Sequence, residues 1–197
     1  MVNLKRTRDD ILVSVMDVIH HQGFQSTGLK ELFAISGTSS GSFYNYFQSK
    51  NELGHALIEF KWQQIKANIL DPMVVVCDDP IDGLFWMIDQ LEAKHLAEPD
   101  CAGCFLGNLI VDLAKYNPEF ETALQQVFLD WESAIAQQLK AGKKQLRQDI
   151  QPNLLAEQIM SMIEGVLLTA RLYNDSNRLK RGFTGIRQFV RSSLIDR

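Results

Sequence analysis

The groups best suited to chemistry in this chain lie close together in G-T-S-S-G-S-F-Y-N-Y-F-Q-S-K, from Gly37 to Lys50. The chemistry they suit is hydrogen bonding to another molecule. Gly37-Thr38-Ser39 is a tight polar turn, and the Ser39 hydroxyl can cap a helix N-terminus. The helix that follows is short, because Ser49 and Glu52 have the S-x-x-E spacing that opens another. Phe43 and Phe47, four apart, mark its buried side and leave Ser40, Ser42, Tyr44 and Asn45 outward. Small hydroxyls, a phenol and an amide can hydrogen-bond phosphates or base edges, and Gly41 lets the backbone come close. The pattern fits a groove of double-stranded DNA.

Bond-making chemistry has no comparable constellation. There is no Ser-His-acid set, phosphate-binding glycine loop or H-E-x-x-H. The histidines are scattered at positions 20, 21, 55 and 95. His20 and His21 are adjacent on a helix, so they point to different sides and make a poor metal pair. Cys101 and Cys104 have redox-motif spacing but lack the βαβ setting that usually gives it meaning. The expectation is a protein that is not an enzyme and holds no metal or cofactor. The competing readings are a helical-bundle enzyme or a protein-interaction module.

The rest of the chain must position the Gly37–Lys50 stretch. With 197 residues, 46% hydrophobic and 22% charged, it can bury one full core or one small and one medium domain. The formal net charge is -4, yet residues 1–50 carry five basic and four acidic side chains. Any polyanion contact therefore belongs at the N-terminal end. Lys5 and Arg6 there can form a short arm touching phosphates. No secretory signal and no membrane-length apolar run are visible, and three cysteines do not make a disulfide framework. A cytoplasmic location is expected, without membrane contact.

Apolar residues from Ile11 to Ile19 recur at three-four spacing and predict a first helix over 8–21, stopped by Gly23. Leu29, Leu32, Phe33 and Ile35 give a short second stripe. Gly37 then makes the sequence read helix, glycine turn, helix. The helix opened by Ser49 runs to about Leu70, where Asp71-Pro72 breaks it. Residues 73–79 read as a connector. Further helices open at Asp79-Pro80, near Leu106, at Asn117-Pro118, at Pro152 and at Asn177. No strand alternation appears. The class is all-α, with about nine helices: a three-helix helix-turn-helix domain over 1–50 and a helical bundle over 51–197. The last two helices look unusually apolar, with Gly165 and Leu167 in the first. They predict a homodimer in which the pair meets its symmetry mate.

The string G-F-Q-S-T-G-L-K-E-L-F-A-I-S-G-T-S-S-G-S-F-Y-N-Y-F-Q-S-K-N-E-L closely resembles the DNA-binding domain of TetR-family transcriptional regulators. It departs from that pattern at Gly28, often threonine; at Phe33 and Ser36, usually alanine; and at Ser40, frequently basic. The resemblance implies a ligand-responsive, homodimeric repressor on a palindromic operator. Its DNA surface would comprise Lys30, Thr38, Ser39, Ser40, Gly41, Ser42, Tyr44, Asn45, Tyr46 and Lys50. G-C-F-L-G-N-L, then N-P-E-F and I-E-G-V-L-L-T-A-R-L, resemble the ligand-binding domain of a branch that includes NemR-like repressors. That implies a small-molecule or reactive-electrophile effector at the bundle's centre, which Trp86, Phe105, Phe128, Trp131 and Met162 are candidates to touch. Cys104, at a helix start, is either plain core packing or a thiolate-bearing redox sensor, with Cys101 to resolve its sulfenic acid.

Overall fold

The computed structural model describes residues 6–98 and 100–195. Lys5 of the expected arm lies outside them. Helix α1 (Arg8–Gln22) opens on a reciprocal cap: Asp10 N–H donates to Thr7 Oγ1 at 3.2 Å and Thr7 N–H to Asp10 Oδ2 at 2.8 Å. Two orphan amides are thereby satisfied. Helix α1 buries Ile11, Leu12, Val15 and Ile19 against Leu32 of α2 (Leu29–Ser36) and Phe43 of α3 (Ser40–Tyr44). Phe47, Leu53 and Leu57 close this small core from the start of α4 (Lys50–Ile65). Gly37, at φ 63°, takes the left-handed conformation that turns the chain from α2 towards α3.

Asp71-Pro72 does not end the long helix, contrary to expectation. A π-helical turn (Lys66–Leu70) follows α4 and leads directly into α5 (Asp71–Val75). Proline lacks an N–H and its ring crowds the carbonyl four residues back. The wider turn absorbs this, with Asp71 N–H donating to the Lys66 carbonyl. Part of the expected 73–79 connector is therefore helical.

Helix α6 (Pro80–Ala97) is capped by Asp79, whose Oδ1 accepts from Ile81 N–H at 2.8 Å. Then come α7 (Phe105–Leu109), continued by a second π turn (Ile110–Ala114), α8 (Pro118–Ala141), α9 (Pro152–Tyr173) and α10 (Ser176–Ser192). Counting α4–α5 as one rod, nine helical rods span the described residues, with no strand among them. Helices α6, α8, α9 and α10 enclose the second core, which α4 joins through Trp62 and Trp131, centroids 6.1 Å apart. Gln138 ties this bundle to the α5–α6 corner, donating to the Pro80 carbonyl at 3.0 Å. Among the described residues no helix is long and apolar enough to cross a membrane.

The apolar character of the last two helices divides unevenly. Leu167 is buried, 2% exposed, whereas its neighbour Leu168 is 56% exposed. The outward stripe of α9 runs through Leu154, Gly165, Leu168 and Leu172, and a Cβ on Gly165 would meet nothing within 4 Å. The outward side of α10 is polar and partly basic: Lys180, Arg181, Thr184, Gln188 and Arg191. Only α9 thus carries an exposed apolar stripe.

Candidate nucleic-acid interface and internal cavity

The α2–α3 corner is built by local bonds. Ser39 caps α3, its oxygen accepting from Ser42 N–H at 3.2 Å, which leaves the hydroxyl hydrogen for an outside acceptor. Ser36 is fully buried and its hydroxyl donates to the Leu32 carbonyl at 2.6 Å. The Thr38 hydroxyl, 2.7 Å from the Ser36 oxygen, is held in place by it. A serine in a position usually alanine therefore orients a residue of the candidate DNA surface. Phe33, the other such departure, packs edge-on to Phe43 at 5.0 Å and to Tyr44 at 6.1 Å. It supports the Tyr44 ring, which stands 46% exposed.

Ser40, Gly41 and Asn45 are exposed, Ser42 is half-buried, and Lys30 is exposed on α2. The Tyr46 hydroxyl donates to the Arg6 carbonyl at 2.6 Å. A Cβ on Gly37 would lie 3.2 Å from the Arg6 guanidinium, so that cation sits over the turn. Lys50 is placed differently from the expectation. Its ammonium donates to the Gln25 carbonyl at 3.2 Å and lies 4.8 Å from the Phe24 ring centroid. Burial lowers its pKa. In this arrangement Lys50 braces the turn after α1 rather than the α3 surface.

A Cβ on Gly41 would also meet nothing within 4 Å. The fold does not need glycine there, and alanine is the better helix former by about 1 kcal/mol. Gly41→Ala is expected to melt at or slightly above the parent temperature. It should still bind operator at least several-fold more weakly, if the backbone at this point approaches DNA. Unchanged affinity in a fluorescence-anisotropy titration would exclude that approach.

In the second domain a cavity of about 90 Å³, partly open to solvent, lies between α4, α6, α7, α8 and α9. Of the aromatic candidates Phe105 and Trp131 line it; Trp86, Phe128 and Met162 do not. Phe128 stacks on Trp131 with centroids 6.3 Å apart, and Trp86 and Met162 are half-buried against the core. The sequence reading missed the polar lining: Lys61, Gln64 and Asn68 from the α4 rod, and Lys94 and His95 from α6. The signal was the spacing of Lys61, Gln64, Ile65 and Asn68, which puts polar groups on the inward face of a helix.

Cys104 also lines the cavity, as the N-cap of α7, with Sγ accepting from Gly107 N–H at 3.4 Å. The surroundings work against the expected thiolate. Burial, and then the neighbouring Glu164 carboxyl, push the thiol up to about 12. The helix N-terminus at Cys104 is worth about 0.3–2 kcal/mol to an anion, too little to oppose this strongly. Cys101 is half-buried and its thiol is likewise raised, by burial first and then by Asp175 and Asp100. Both cysteines are unpaired.

The cavity wall and the helix-turn-helix unit meet at the end of α1. The His20 ring stands edge-on to Phe105, centroids 5.6 Å apart, and its Nε2 is 3.0 Å from the Gly103 carbonyl. Burial pulls His20 down to about 4, so at neutral pH it is the uncharged tautomer donating from Nε2. Asp112 accepts from Gln25 N–H at 3.0 Å, and Arg171 donates to the His21 carbonyl at 3.4 Å. These contacts span about ninety to 150 positions of sequence, and no local pattern announces them.

A short capped helix behind a glycine turn, on a core continuous with that of a cavity-bearing helical bundle, is the arrangement of a helix-turn-helix transcriptional regulator. Residues 11–57 match the bacterial regulatory proteins, tetR family, and residues 87–186 match the tetracyclin repressor-like C-terminal domain. The chain belongs to the TetR family, as its sequence resemblance implied. An uncharacterized HTH-type transcriptional regulator of Lactococcus lactis subsp. lactis is 29% identical over 182 residues, 92% of this chain and 91% of that protein. The crystal structure of regulatory protein TetR from Rhodobacter sphaeroides superposes with a TM-score of 0.80 at 27% identity, covering 95% of this chain and 98% of that one. Escherichia coli NemR in its reduced form shares the fold, with a TM-score of 0.81 at 19% identity over 92% of this chain and 95% of that one.

Proposed function

We propose that this regulator is a homodimeric repressor, working in the cytoplasm, that leaves a palindromic operator when a small molecule fills the α4–α9 cavity. Residues 1–50 form the DNA-binding domain and residues 51–197 the ligand-binding and dimerisation domain. Lys30, Thr38, Ser39, Ser40, Gly41, Ser42, Tyr44, Asn45 and Tyr46 contact DNA; Lys50 supports the turn behind them. Two recognition helices in the dimer sit about one DNA turn apart, roughly 34–36 Å, or a small multiple. The observation that carries the release step is the contact of Phe105, a cavity wall, with His20 at the end of α1. A ligand that displaces Phe105 acts on the helix that holds the DNA-reading unit. The buried, protonated Cys104 favours a noncovalent effector over an electrophile. NemR and the DhaR of a Mycobacterium species, both named repressors, are relatives at 19% and 22% identity.

The test is operator binding with DNA flanking the protein's own gene, with and without cellular metabolites. Effector is expected to weaken binding by about 5- to 150-fold, the usual range of allosteric coupling. Asp112→Ala removes the acceptor of Gln25 N–H, so it should still bind operator while its release ratio falls towards one. Specific binding absent from every flanking fragment would refute the reading. Equal release from parent and variant would remove Asp112 from the coupling path.

A further inference from the structure

The cavity lining carries hydrogen-bond donors that no protein group satisfies. Lys61 and Lys94 both line it, on facing helices, and their side chains interact with each other. Two ammonium groups have donors only, so neither can satisfy the other. Among the described residues no carboxylate lies within 4.0 Å of either lysine. A third donor, Trp131 Nε1, is buried in the same wall without a partner, on a residue 2% exposed. Buried indole N–H groups normally find an acceptor.

The two acidic groups nearby, Glu98 and Glu164, act on the lysines only across a gap longer than an ion pair, and each keeps one buried oxygen without a hydrogen bond. Glu98 faces His95 at 3.6 Å, and Glu164 shares a hydrogen bond with Cys104. The remaining walls are apolar: Ile65, Ile69, Leu91, Phe105 and Leu167. Such a site wants a small molecule with an anionic, acceptor-rich head and a short apolar body.

We propose that the ligand of this cavity is a small organic carboxylate, its head held by Lys61 and Lys94 with Trp131 Nε1 as an added donor, and its carbon body against the apolar walls. The proposal rests on the reading of this cavity as the effector site. Carboxylate suits the place better than phosphate, because the apolar walls would face a phosphate's remaining oxygens. Burial, and then the Lys94 ammonium, pull Lys61 down to about 8; an anion between the two lysines would relieve that repulsion.

Isothermal titration of the purified protein with straight-chain and aromatic carboxylates, hexanoate and benzoate among them, tests this against hexanamide, benzamide and inorganic phosphate. Carboxylates are expected to bind and the neutral amides to bind at least tenfold more weakly. Lys61→Met and Lys94→Met should each weaken carboxylate binding by about tenfold or more, the loss expected for a charge-assisted hydrogen bond. Both variants remove a like-charge contact and keep an apolar stem, so their melting temperatures should equal or exceed the parent's. Amides binding as tightly as acids overturns the proposal. So does phosphate binding as well as the carboxylates, undiminished binding to both lysine variants, or no binding across the whole carboxylate series. Operator release measured alongside separates the two readings. Lysine-dependent carboxylate binding without release leaves this proposal standing and refutes the cavity as effector site. Release by a neutral cavity ligand does the reverse.

Discussion

Tyr44→Ala is expected to lower operator affinity by about a hundredfold or more while the protein keeps its fold. Tyr44 is 46% exposed on the one helix whose outward side is hydroxyl and amide. Aromatic residues at the centre of an interface commonly cost about 2–4 kcal/mol when truncated. The dimer presents the residue twice. Its contribution to the fold is smaller: two edge-on contacts, with Phe33 at 6.1 Å and Phe43 at 5.9 Å, worth about 0.5–1.5 kcal/mol beyond burial. The melting temperature should therefore fall by only a few degrees. Tyr44→Phe separates the two roles, since it keeps both ring contacts and deletes the hydroxyl. An operator titration in which Tyr44→Ala matches the parent would remove Tyr44 from the DNA surface.

The helix-turn-helix unit was legible because its determinants are local. Ser39 caps the amide three residues on, Gly37 turns the chain left-handed, and Phe43 and Phe47 sit on one face. Each follows from spacing within a turn or two. The S-x-x-E box at Ser49 was nearly right: Ser49 accepts from Glu52 N–H at 3.1 Å, but the Glu52 carboxylate accepts from Gln48 N–H, one residue earlier than a capping box requires. Lys50 was misplaced because a long side chain chooses its partner in three dimensions. Here the Phe24 ring and the Gln25 carbonyl were nearer than the open side of α3.

The cavity was half legible for a related reason. Periodicity tells which side of a helix faces inward, and it cannot distinguish packed core from void. Phe128 and Trp131 lie on the same apolar helix, yet only Trp131 reaches the cavity. Charged residues on an inward face were the better signal, since Lys61 costs desolvation that plain packing does not require. At Cys104 a helix terminus was set against plain packing, and the neighbour that tells between them, Glu164, lies outside the local sequence.

The same distinction sets the test of assembly. Leu168→Asp should give a folded monomer that no longer holds operator, and Leu167→Asp should not fold. The two residues are adjacent, but Leu167 is 2% exposed against the cavity while Leu168 is 56% exposed on the outward stripe with Leu154 and Leu172. Gly165 lies on that stripe with open space at its Cβ position, so a second helix can approach closely there. In an isologous dimer position 168 meets the twofold-related stripe, and the substitution enters twice. Each buried, unpaired carboxylate costs about 3 kcal/mol, so dimer dissociation should rise by about four orders of magnitude. Operator affinity would fall with it, because a monomer engages one half-site. Sedimentation velocity reads the assembly, and far-UV circular dichroism shows whether helicity is kept. A Leu168→Asp protein that remains dimeric would move the interface off α9. Other exposed apolar residues, among them Val75 at 79% and Val111 at 73% exposure, would then be places to put the next charge.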